Sequence, residues 1–100
     1  MLRITVEENS KAMVIKLEGR VAGPWAAELD RLWKETAPAV AQRDLSLDLR
    51  ETTYADPSGI QVLRAIYSRT GAQILTGTPW TEYLAEEVTR ENSQHEDTEG

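Results

Sequence analysis

Apolar and polar residues alternate over "LRITVE" at 2–7, with Leu2, Ile4 and Val6 on one side and Arg3, Thr5 and Glu7 on the other. A period of two sets one row of side chains on a core and the other in water, so the segment reads as a β-strand. After the polar turn "ENSK", "AMVIKLE" at 12–18 repeats the pattern with Met13, Ile15 and Leu17. Two such runs joined by a short polar turn predict an antiparallel hairpin.

The alternation breaks over 19–23, and Pro24 carries the fixed φ suited to a first helical turn. From there Trp25, Leu29, Leu32, Trp33 and Val40 recur at helical spacing, with Glu28, Asp30, Arg31 and Lys34 between them. Pro38 cannot donate to a helical ladder, so this helix either ends near Thr36 or restarts with the proline in a new first turn. "LSLDL" at 45–49 alternates again, its polar side, Ser46 and Asp48, arguing for a sheet with one incompletely covered face.

The stretch 51–59, "ETTYADPSG", reads as a loop leading into a second helix, whose buried stripe is Ile60, Leu63, Ile66 and Tyr67 and whose end is Gly71. "AQILTG" at 72–77 is a short fourth strand. Thr78 then caps a helix over 79–91, with Trp80, Leu84 and Val88 as its inner seam. The order β-β-α-β-α-β-α, with right-handed crossovers, predicts a single α/β domain: a mixed four-stranded sheet with its helices mainly on one face. The domain spans 1–91, and the apolar-free segment 92–100 is expected to be an acidic, disordered tail.

Charge narrows the function classes. Eleven basic and 17 acidic residues give −6, but Glu91, Glu96, Asp97 and Glu99 lie in the last ten positions, leaving residues 1–90 at −2. No broad basic surface is available to attract phosphate backbones, so nucleic-acid binding is disfavoured. No apolar run approaches a membrane span, and the N-terminus lacks a signal peptide's apolar core, so a soluble, cytoplasmic chain is expected. The sequence contains no cysteine, which removes thiolate chemistry and sulfur-ligated metal sites.

Catalysis finds few candidates. The single histidine, His95, lies in the tail, and no phosphate-cradling glycine loop, metal-binding His-Glu helix or nucleophile elbow occurs. The expectation is a non-enzyme with neither cofactor nor metal. Attention falls on "DPSG" at 56–59, where Asp56 reads as an N-cap, Pro57 as the first helical residue and Ser58 as the second. A hydroxyl there lies near several unsatisfied N–H donors and the positive end of the helix dipole, so it serves either as a capping or contact group or as a phosphorylation site.

The element order, with "LEGRV", "DLSLDLRETTYADPSGIQVLRAI" and "AQILTGTP", resembles the STAS family over roughly residues 2–90. That family comprises the bacterial anti-sigma-factor antagonists and related domains appended to sulfate transporters. The resemblance implies a protein-docking module of signal transduction and transcription regulation, working by partner switching. In the antagonists the residue directly after the aspartate is phosphorylated by a partner kinase that is also the anti-sigma factor. Asp56 and Gly59 match the pattern; the acceptor position holds Pro57, and Ser58 matches only the neighbouring small residue.

The resemblance therefore implies partner binding through Asp56, Pro57, Ser58 and Gly59, with phosphorylation of Ser58 as a secondary candidate. The expected partner is an anti-sigma factor of the serine-kinase type. The alternatives are the ATPase of a lipid-transport ABC system and a scaffold role in a sensory complex. Open edge strands also leave room for a homodimer.

Overall fold

In the computed structural model, residues 1–40 and 44–90 are described. Seven elements follow one another: β1 (Leu2–Glu8), β2 (Ala12–Val21), α1 (Pro24–Val40), β3 (Asp44–Ala55), α2 (Pro57–Thr70), β4 (Gln73–Leu75) and α3 (Pro79–Thr89). The strands lie in the sheet order β1-β2-β3-β4, the first pair antiparallel and the other two parallel. The predicted four-stranded mixed sheet and its element order are thus present. The expected tail over 92–100, with His95, lies outside the described residues.

One core accounts for the arrangement. Met13, Ile15 and Leu17 of β2 and Leu45, Leu47 and Leu49 of β3 point to the same side of the sheet. There they meet Leu29 and Trp33 of α1, Leu63 and Ile66 of α2, and Leu84 and Val88 of α3. The opposite face carries Arg3, Thr5, Lys16, Ser46 and Asp48, as the alternation requires. The hairpin turn is held by Asn9, whose Oδ1 accepts from the N–H groups of Lys11 (2.8 Å) and Ala12 (2.9 Å).

The strands run further than strict alternation predicts. β3 continues to Ala55, into the stretch 51–59 read as a loop, and its register against β2 slips between Lys16 and Glu18 and again between Gly19 and Arg20. Each slip inserts an extra residue, which resets the phase. Thr52 is thereby turned inward, and its hydroxyl donates to the Leu17 carbonyl at 3.0 Å. β2 likewise runs on to Val21, with Gly19 at φ 108° where a Cβ would collide with the Met1 carbonyl oxygen.

Several helix expectations need correction. α1 continues through Pro38, which sits in its last turns, where the missing N–H removes a single bond to the carbonyl of Lys34. Trp25 and Trp80, assigned to buried stripes, are 40% and 37% exposed. Residues spaced four apart drift about 40° per step around a 3.6-residue helix. The buried seams therefore run through Ala26, Leu29 and Trp33 in α1 and through Thr81, Leu84 and Val88 in α3.

Asp48 departs from the reading of an open polar face, being only 3% exposed. Arg50 folds back over it, donating from Nε at 3.0 Å, Nη2 at 2.8 Å and the backbone N–H at 3.1 Å. The guanidinium hydrogen bonds hold the Asp48 carboxyl below its ordinary pKa against the opposing effect of burial.

Candidate functional site

The site forms where β2 and β3 end and α1 and α2 begin. Val21 and Ala55 are register partners, and the Asp56 N–H donates to the Val21 carbonyl at 3.2 Å, so the chain leaves β3 tied to the last residue of β2. Asp56 is extended (φ −90°, ψ 176°) and Pro57 supplies the first helical φ, which turns the backbone directly into α2.

The Asp56 carboxylate binds two loops at once. Its Oδ1 accepts from the Gly59 N–H at 2.7 Å and from the Ser58 hydroxyl at 2.9 Å, while Oδ2 accepts from the Gly23 N–H at 3.0 Å, one residue before α1. The bond from Gly59, then those from Gly23 and Ser58, hold this carboxyl below the usual carboxylate range. Gly59 is buried, and a Cβ on it would collide with the Val21 carbonyl oxygen. Only glycine permits helix and strand to approach this closely.

These bonds revise the count of available donors at the helix tip. The Asp56 N–H goes to the Val21 carbonyl, Pro57 has no N–H, and that of Gly59 is taken by the carboxylate. The Ser58 N–H alone remains of the first four, where several were expected. The tip nonetheless faces outward, since Pro57 and Ser58 are both exposed.

Three exposed side chains that the sequence reading did not assign to the site lie within a few residues of it along the chain. Arg20 and Tyr54 are register partners one step before Val21 and Ala55, and the Arg20 guanidinium lies 4.6 Å from the Tyr54 ring centroid, a cation–π contact. Tyr54 is 40% exposed, and Trp25 is exposed two residues beyond Gly23. Tyr54 escaped because alternation stops at Leu49 and 51–59 was read as a loop, whereas the register slips carry β3 on to Ala55. Trp25 fits the apolar stripe of α1 by spacing, and only its place in the first turn of the helix signals otherwise.

Among the described residues, no imidazole or second carboxylate is hydrogen-bonded at the tip. Asp56 is the one acidic group at the tip, and its oxygens are occupied by internal donors. Among the described residues no three His, Cys, Asp or Glu side chains gather as a metal site, and no helix is long and apolar enough to cross a membrane.

A four-stranded mixed sheet with this crossover order and a helix springing from an aspartate-capped turn defines the STAS fold. Solved structures bear this out. The chain superposes on an anti-sigma-factor antagonist from Mycobacterium paratuberculosis with a TM-score of 0.71 at 21% identity, covering 83% of this chain and 74% of that one. It is also similar to the anti-sigma-factor antagonist SpoIIAA in its unphosphorylated form (TM-score 0.58, 11% identity, 82% and 80% covered). A third likeness is to the STAS domain of an antisigma-factor antagonist from Rhodobacter sphaeroides (0.53, 17%, 89% and 92%). No protein-family model and no curated protein sequence matches the chain.

Proposed function

We propose that this domain is a non-enzymatic docking module of the anti-sigma-factor-antagonist type, acting in the cytoplasm. It binds its partner through the tip formed by Asp56, Pro57, Ser58 and Gly59. The observation that carries the reading is the exposure of Pro57 and Ser58 on a helix tip tied down by the Asp56 carboxylate, with Trp25, Arg20 and Tyr54 exposed within a few residues of the site along the chain. Aromatic and arginine side chains on a fixed scaffold are the usual anchors of protein interfaces. The shared fold with anti-sigma-factor antagonists makes an anti-sigma factor of the histidine-kinase-like ATPase type the preferred partner.

In this reading the partner is not switched by phosphorylation in the family's manner. Pro57 offers no hydroxyl at the acceptor position. The Ser58 hydroxyl donates to Asp56, and a phosphate there would lie against a carboxylate. Ser58 is thus a capping and contact residue, and phosphorylation at Ser58 is the lesser alternative.

Binding of the purified domain to such an anti-sigma factor, measured calorimetrically with and without ATP, tests the proposal. The expected result is a complex that survives ATP. Trp25→Ala and Ser58→Asp should each weaken it by roughly ten-fold or more, a loss typical of a contact in an interface centre. Ser58→Ala should leave folding intact. A complex indifferent to both weakening substitutions, or co-purification of an ABC ATPase and no anti-sigma factor, overturns it.

A further inference from the structure

The sheet ends unequally. β4, at one edge, pairs over only three residues, whereas β1, at the other, has seven residues and, among the described residues, a neighbour on one side only. The hydrogen bonds at the two ends of the hairpin reveal which backbone groups of β1 are already used. The Arg20 N–H donates to Met1 and the Asn9 N–H to Ala12, both within pairs of the β1–β2 register. Bonded pairs alternate along an antiparallel ladder, so Arg3, Thr5 and Glu7 direct their N–H and C=O groups to β2. Those of Leu2, Ile4, Val6 and Glu8 point to the open edge.

Read backwards, this edge complements itself. Two copies of β1 set antiparallel about Thr5 place Arg3 opposite Glu7, Ile4 opposite Val6, and Leu2 opposite Glu8, in both directions. The pairs that must exchange backbone bonds, Ile4 with Val6 and Leu2 with Glu8, are the ones whose groups point outward. The opposite charges then fall in the intervening non-bonded pairs, where side chains come closest.

Arg3 and Glu7 are exposed, lie on the sheet face away from the helices, and take no ion pair within the chain among the described residues. Val6, 37% exposed on the core side, would be covered by Ile4 of the second copy. Sliding the register by two in either direction shortens the ladder and separates Arg3 from Glu7.

We propose that β1 is a self-association edge: a second copy of this chain adds its own β1 antiparallel across a two-fold axis at Thr5, joining two sheets into one. A long, unblocked edge strand invites strand addition, and the reciprocal Arg3–Glu7 pairs select this partner and this register.

Analytical ultracentrifugation across micromolar to millimolar concentrations, joined to amide hydrogen exchange, tests it. The expected wild-type species is a dimer in which the amides of Ile4 and Val6 exchange slowly. Glu7→Arg sets arginine against Arg3 across the axis but lies directly opposite Val14 within the chain, so its fold, checked by circular dichroism, is retained. Its dimerisation should weaken at least about ten-fold, because both symmetric pairs become repulsive.

Arg3→Glu should do the same, and mixing the two variants should restore association as a heterodimer with complementary charges. Arg3→Glu faces Glu18 within its own chain, and if that variant does not fold, Glu7→Arg alone decides. A monomeric wild type at millimolar concentration overturns the proposal, as does a dimer that Glu7→Arg leaves unweakened. Folded variants that fail to associate when mixed overturn it too.

Discussion

At the scale of single residues, Asp56 does the most. Its carboxylate accepts from Gly59, Ser58 and Gly23, which makes the ionised form the one the fold prefers. Stability from a carboxyl with a lowered folded-state pKa is complete above its unfolded pKa, about 4, and is lost as pH falls through the folded value. The stability gap between wild type and Asp56→Asn should therefore be constant near neutrality and shrink below about pH 4. Urea titrations of both proteins across that range check this, and a gap that widens in acid refutes the assignment. Asp48, also shifted down, is present in both proteins and cancels in the difference.

Elements were legible in the sequence where one physical rule governed them. Alternation located β1, the start of β2 and the Leu45, Leu47, Leu49 row; cap chemistry located Asp56, Thr78 and Gly71, the last left-handed at φ 65° as expected. The Thr78 cap is reciprocal: its Oγ1 accepts from the Thr81 N–H at 3.1 Å, and Thr81 Oγ1 accepts from the Thr78 N–H at 2.8 Å. What escaped was set by tertiary contact. The slips that lengthen β3 depend on its pairing with β2, and the exposure of Trp25 depends on which face of α1, that of Ala26, Leu29 and Trp33, meets the core. The need for glycine at 59 depends on how closely α2 approaches Val21. Gly59→Ala should accordingly cost about 3 kcal/mol, at the upper end of overpacking, because the obstruction is backbone and cannot rotate away. Chemical denaturation measures it, and a loss within a few tenths of a kcal/mol would mean that helix and strand are not held together at this point.

For the molecule as a whole, three helices and one sheet face share a single core, with Leu47 at its centre on β3 between Ile15 and Ile74. Leu47→Ala should lose about 2–5 kcal/mol. That is a large part of the roughly 5–15 kcal/mol available to a domain of this size, so a sharp fall in melting temperature on calorimetry is the expected outcome. No comparable burden falls on Pro57 or Ser58, which are exposed, outside the core, and beside a carboxylate that the amides of Gly59 and Gly23 hold as well. The scaffold and the surface it displays are therefore separable. Evolution, or an engineer, can rewrite the letters at those two positions and so change the surface displayed, while the aspartate and glycine on either side keep the page on which they are written.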